Sequence, residues 1–142
     1  MKEVHTTRAP EETWQLAASL LPRMTEGAVI ALHGDLGAGK TTFVQGLAQA
    51  MGVTSPVTSP TFSLLGEYRG AAQRLIHLDL YRLSSPEELL DIGFLDYLAA
   101  PNIVVVEWPE RAETIMPATA WHLHFEPGDE PHTRRVTIQH RP

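Results

Sequence analysis

One run of eight residues constrains this chain more than any other: Gly34-Asp35-Leu36-Gly37-Ala38-Gly39-Lys40-Thr41. It follows Ala28-Val29-Ile30-Ala31-Leu32, a continuous apolar stretch suited to a strand buried on both faces. It precedes Phe43, Val44, Leu47, Ala48 and Met51, which have helical spacing, with Gly52 where the helix should end. Strand, glycine-rich turn and helix in that order match G-x-x-x-x-G-K-[ST], the phosphate loop. The glycines let successive N–H groups turn inward around an anion. Lys40 sets an ammonium on the terminal phosphates, and the Thr41 hydroxyl can coordinate Mg²⁺. The helix directs its positive end at the same place. With this chain's own residue usage, the pattern arises by chance about once in a thousand such chains. A glycine-rich turn with a solvated lysine is therefore the weaker reading. Asp35, Gly37, Ala38, Gly39, Lys40, Thr41 and Thr42 are the expected contacts to a nucleoside triphosphate.

Composition narrows what surrounds the loop. The 142 residues suit one domain spanning 1–142, with 43% apolar residues for its core. There is no cysteine, which excludes a disulfide scaffold and a Cys-ligated metal site. Met1-Lys2-Glu3-Val4-His5 lacks the apolar core of a signal peptide, and no apolar run is long enough to span a bilayer. The expectation is a soluble, cytoplasmic protein. Eleven Lys+Arg against seventeen Asp+Glu give a formal charge of −6, which argues against a broad nucleic-acid-binding face. Only two of the basic residues are lysines, Lys2 and Lys40. An arginine fork would fit the phosphates poorly at position 40, where a compact ammonium is required.

The remaining pattern interleaves helix and strand. Pro10-Glu11-Glu12 reads as a helix start, followed by a stripe of Trp14, Ala17, Ala18 and Leu21 that Pro22 ends. Thr61–Tyr68 and Leu75–Tyr81 read as two strands joined near Gly70. Ser85-Pro86-Glu87-Glu88 has a capping-box pattern and predicts a helix. Ile103–Val106 is a second buried strand. Trp121, Leu123 and Phe125, then Val136 and Ile138, alternate with polar residues as a C-terminal β-hairpin. The class is α/β: one compact P-loop NTPase-like domain with a mixed central sheet flanked by helices.

Two carboxylates stand where a phosphate-loop enzyme needs them. Glu107 terminates Ile103-Val104-Val105-Val106, although such strand-end acids are usually Asp. Asp79 lies within Ile76-His77-Leu78-Asp79-Leu80-Tyr81, where alternation puts His77, Asp79 and Tyr81 on one face. An acid in so apolar a strand costs free energy unless paired, hydrogen-bonded or near a metal. A salt bridge to Arg82 is the bland alternative for Asp79, and simple solvent exposure for Glu107. Thr58-Ser59-Pro60-Thr61 offers hydroxyls that suit either a switch near the γ-phosphate or a stiff connector.

These blocks together resemble the bacterial TsaE family, the small ATPase of tRNA threonylcarbamoyladenosine biosynthesis. The resemblance is carried by Gly34 to Phe43, by Ser59-Pro60-Thr61-Phe62, by His77-Leu78-Asp79-Leu80-Tyr81-Arg82-Leu83, and by Val106-Glu107-Trp108-Pro109-Glu110. It covers about residues 10 to 125. It implies ATP and Mg²⁺ as ligands, ATPase activity that is weak in isolation, and protein partners of the TsaB and TsaD type, with tRNA engaged only through them. It also implies that Thr41 and Glu107 hold Mg²⁺, that Asp79 assists hydrolysis alongside Glu107 and Lys40, and that Thr61 joins the nucleotide site. Trp108 resembles the family's tryptophan beside the acid, for which simple packing is the preferred reading.

Seven histidines invite a metal reading, with His122 and His124 on one strand face and His140 across the hairpin. Neither ligand count nor spacing forces zinc, and none is expected. Arg134 and Arg135 read as a solvated basic pair. A small-molecule kinase and a nucleotide-gated adaptor are the competing functions, and the kinase is disfavoured because 142 residues leave little room for an acceptor site and lid.

Overall fold

The apolar runs at Val29 and Asn102 form the centre of a seven-stranded mixed sheet. The computed structural model describes residues 2–24, 28–35, 39–57, 64–98 and 102–140. Expected contacts Gly37, Ala38 and Thr61, and the candidate switch at 58–61, lie outside the described residues. In chain order the elements are β1 (Lys2–Thr7), α1 (Pro10–Leu20), β2 (Val29–His33), α2 (Lys40–Ala50), β3 (Leu65–Arg69), β4 (Arg74–Asp79), α3 (Pro86–Asp91), α4 (Phe94–Tyr97), β5 (Asn102–Glu107), β6 (Trp121–Pro127) and β7 (Arg134–Gln139). The strands lie in the order β1-β7-β6-β2-β5-β4-β3. The pairs β2–β5, β2–β6 and β4–β5 are parallel, and the outer pairs are antiparallel.

Each face of the sheet buries its own core. On one, Ile30, Leu32, Leu75, Ile103, Val105 and Leu123 pack beneath α1 and α2, with Leu20, Phe43, Val44 and Leu47 reaching down. On the other, Val29, Ile76, Leu78, Val104 and Val106 meet Leu89, Phe94 and Ala112 from α3, α4 and the 3₁₀ segment Pro109–Ile115. β5 is buried at every position, as its run of β-branched residues requires.

The structure corrects several local expectations. The buried stripe of α1 is Thr13, Leu16, Ala17 and Leu20, while Ala18 is exposed and Trp14 and Leu21 are half-buried. A close approach to α2 sets that rotation, with Trp14 lying over Gly46. The helix does stop before Pro22, in a single 3₁₀ turn. At α3 the Ser85 side chain makes no cap hydrogen bond. Glu88 instead accepts from the Ser84 N–H at 2.9 Å, as Glu12 accepts from the Arg8 N–H at 2.9 Å ahead of α1. β4 ends at Asp79, so Tyr81 is not in the strand but exposed in the following turn. The C-terminal hairpin does not stand apart. β6 pairs with β2, and β7 with the N-terminal strand β1.

Candidate active site

Four parallel strands, β6, β2, β5 and β4, carry their carboxyl ends to one edge of the sheet, where α2 begins. β2 lies at the centre with parallel neighbours on both sides, the arrangement in which open α/β sheets bind ligands beyond their carboxyl ends. Register sets Glu107 of β5 beside Leu32 of β2 and Asp79 of β4. A cavity of about 460 Å³ opens there, and Gly39, Lys40, Thr41, Thr42, Asp79 and Glu107 all line it. Asp35, exposed at the start of the loop, is not among its described lining residues.

The start of α2 is built unlike the other helices. α1, α3 and α4 carry acids in their first turn, the ordinary complement to the positive end of a helix. α2 carries none and begins with Lys40. A cation there opposes the helix dipole. Its ammonium turns back to donate to the Gly34 carbonyl at 2.6 Å, lies 3.9 Å from Glu107 Oε1 and 4.6 Å from the centre of the Trp108 ring, and is 4% exposed. Gly39 caps the helix with φ +108, and Gly34 has φ +141. A Cβ at Gly34 would stand 2.6 Å from the Phe125 carbonyl oxygen, so the loop lies against β6 too closely for any side chain. Uncapped N–H groups, a buried ammonium and a glycine-shaped approach are what a phosphate requires.

Glu107 is buried, and its two oxygens are differently engaged. Oε1 faces Lys40, and Oε2 lies 2.6 Å from Nε2 of the fully buried His77 on β4. Asp79 is half-buried at the strand end, where Oδ1 accepts the Tyr81 N–H at 3.0 Å. Trp108 has φ +57, a left-handed conformation that a bulky side chain rarely adopts. Its ring packs on Tyr81 at 5.0 Å between centres and also lines the cavity. One carboxylate, of Glu107, and one hydroxyl, of Thr41, lining a cavity at the start of α2 suit Mg²⁺, which takes few protein ligands and relies on substrate phosphates and water.

The cavity also contains residues that the sequence reading did not assign. Arg8, Pro10 and Thr13 come from the β1–α1 junction, and His132 and Arg134 from the hairpin. Arg134 is thus not simply solvated, and its Cγ would lie 3.8 Å from a Cβ at Gly39. Glycine spacing gives no hint of these residues, because β1–β7 pairing brings them in from the two ends of the chain.

The histidines group differently from expectation. His140 stacks on Trp121 at 3.8 Å, on the face opposite His122 and His124. His33 joins those two instead: its Nε2 lies 3.0 Å from His122 Nδ1 and its ring stacks on His124 at 4.3 Å. Burial, with His124, His122 and Lys40 nearby, pushes the His33 imidazole down to about 4. Among the described residues no group of three or more His, Cys, Asp or Glu side chains is placed to hold a metal ion. No described helix is long and apolar enough to cross a membrane.

Comparison with known proteins agrees with this geometry. The family model for "Threonylcarbamoyl adenosine biosynthesis protein TsaE" matches residues 7–136. A Nostoc protein described as tRNA threonylcarbamoyladenosine biosynthesis protein TsaE is 44% identical over 124 residues, covering 84% of this chain and 75% of its own. One of the same description from Treponema pallidum is 40% identical over 111 residues, covering 78% and 82%. The crystal structure of YdiB from Bacillus subtilis superimposes with a TM-score of 0.83 at 30% identity, covering 99% of this chain and 86% of that one.

Proposed function

The chain belongs to the TsaE family of tRNA threonylcarbamoyladenosine biosynthesis proteins, and on that premise we propose that it is a Mg²⁺-dependent ATPase serving the modification through partner proteins. One observation carries the reading: the Lys40 ammonium is buried at the positive end of α2, folded back onto the Gly34 carbonyl and beside Glu107, on a helix whose first turn carries no acid. Lys40 and the α2 N–H groups bind the β- and γ-phosphates. Gly37, Ala38, Gly39 and Thr42 shape the phosphate cradle, with Asp35 at its rim, and Thr61 contributes from the segment before β3.

Thr41 and Glu107 would hold Mg²⁺, which when bound supplies charge neutralisation across the phosphates. Asp79 orients the attacking water, and Arg8, His132 and Arg134 contact the bound nucleotide from the same cavity. Closing around the phosphates excludes water and strengthens each of these interactions. The −6 charge fits a cytoplasmic protein that reaches tRNA only through partners of the TsaB and TsaD type. The whole of residues 1–142 serves as one domain for that purpose.

The test is a reconstituted modification reaction followed over many turnovers with the partner proteins. We expect sustained turnover with ATP, loss with a non-hydrolysable analogue, and loss with Glu107→Ala or Asp79→Ala. Equal sustained turnover with the analogue would favour a nucleotide-gated adaptor. Full activity of either variant would remove the role assigned to that residue.

A further inference from the structure

His77 occupies a position that core packing does not explain. It lies on β4, fully buried, on the face where Leu75, Ile103 and Val105 pack against the helices. An aliphatic side chain would complete that face without leaving a polar atom behind. Among the described residues, His77 Nδ1 is buried with no hydrogen-bond partner, an uncommon state for an imidazole nitrogen. Its other nitrogen is fully engaged. Register pairs His77 with Val105, so Nε2 reaches diagonally to Glu107, two residues further along β5, and meets Oε2 at 2.6 Å.

The tautomer follows from these contacts. A proton on Nε2 gives the carboxylate a donor and leaves only an unsatisfied acceptor at Nδ1. A proton on Nδ1 would leave an orphaned buried N–H and set two lone pairs against each other at 2.6 Å. Lys40 takes Oε1 from the other side at 3.9 Å. At that distance Lys40 attracts the carboxylate without a hydrogen bond, so the His77 contact is the one that restrains its otherwise soft terminal torsion.

We propose that His77 is a positioning residue: its Nε2–H fixes the Glu107 carboxylate so that the remaining lone pairs of that group face the cavity. The proposal rests on the assignment of Glu107 to Mg²⁺ made above. Side chains that orient metal-holding carboxylates typically change metal affinity or activity by about 10–100-fold when removed. The effect belongs to the metal-dependent part of nucleotide binding, because His77 is not among the residues lining the cavity.

The experiment compares wild type with His77→Phe, which keeps a ring but has no donor, and His77→Gln, which restores an N–H. ADP affinity is measured by calorimetry in EDTA and then across a Mg²⁺ titration, and kcat and KM for ATP are measured separately. For His77→Phe we expect ADP affinity in EDTA within about twofold of wild type, a Mg²⁺ midpoint raised 10–100-fold, and a loss in kcat larger than any change in KM. His77→Gln should recover most of both losses. An unchanged Mg²⁺ midpoint in a folded His77→Phe, or no recovery with His77→Gln, overturns the proposal. Nitrogen-detected NMR on the wild-type protein tests it without any variant: an Nε2 of His77 that carries no proton also overturns it. If wild-type protein shows no Mg²⁺-dependent ADP binding at all, the assignment of Glu107 to Mg²⁺ fails first, and a result of that kind is distinguishable from failure of the His77 role alone.

Discussion

Gly46→Ala should destabilise this protein, although the same change in most exposed helices stabilises. Gly46 lies inside α2 and is buried against α1. A Cβ there would stand 2.5 Å from the Cα of Trp14 and 3.1 Å from both its Cβ and Cδ1. Carbon atoms pack best at about 3.5–4.0 Å, so the nearest contact is about 1 Å too short. The atom in the way is backbone, so rotating the tryptophan cannot relieve the clash and one helix must shift. Overpacking of this kind costs about 1–3 kcal/mol, with a backbone clash toward the upper end. Replacing a helical glycine by alanine returns about 0.8–1.0 kcal/mol. The net expectation is about 1–2 kcal/mol of lost stability, which for a chain of this length lowers Tm by about 3–7 °C. The shift has a functional consequence, because α1 contributes Pro10 and Thr13 to the cavity and α2 contributes Lys40, Thr41 and Thr42. Thermal unfolding by circular dichroism and ADP calorimetry measure the two effects. Trp14→Ala in the Gly46→Ala background should give no rescue, since the Cα remains. A Tm equal to or above wild type, with unchanged ADP affinity, would show that the two helices are not packed as described.

Acid should weaken the fold through the histidine cluster. His33 is held down to about 4 against an ordinary value of 6.5, so between those values the unfolded chain binds more protons than the folded one. Its contribution is complete above about pH 6.5 and is lost as the pH falls toward 4, amounting to about 3 kcal/mol at most. His33→Gln should flatten the dependence of Tm on pH across that window, and an unaltered slope would place the acid sensitivity elsewhere. The Thr13 hydroxyl donates to Thr7 Oγ1 at 2.9 Å in a buried link between α1 and β1. Thr13→Val should therefore cost about 1 kcal/mol in urea unfolding, and adding Thr7→Val should recover part of it. Strictly additive losses in the double variant would mean that the hydroxyls do not interact.

The parts of this molecule that were legible in the sequence are those encoded locally. The phosphate-loop spacing, the β-branched run of β5 and the acid that ends it each follow from neighbours within a few residues. The parts that were not legible depend on pairing between distant segments. β1 has no apolar face, alternates Lys, Glu, His and Thr, and leaves Val4 exposed, so it exists as a strand because β7 is there to pair with it. That pairing brings Arg8 and Arg134 to one cavity. His77 reads as one polar residue in an apolar strand until register sets it across from Val105 and within reach of Glu107. The stripe on α1 is not legible, because a face centred on Ala18 satisfies helical periodicity as well as the buried one of Thr13, Leu16, Ala17 and Leu20, and only the partner helix decides between them. Hairpin proximity alone would group His140 with His122, but the pleat sends it to the other face, onto Trp121.

On the proposed function, the buried Lys40 ammonium holds a nucleotide's phosphates. Calorimetric titration of Mg²⁺-ATP into wild-type protein and into Lys40→Met, which keeps most of the aliphatic stem, tests it most directly. We expect saturable one-site binding by wild type and a loss of about 10–150-fold in affinity in the folded variant, as befits a hydrogen bond to a charged group. Wild-type protein that fails to bind Mg²⁺-ATP, or a Lys40→Met variant that binds it equally well, would contradict the account.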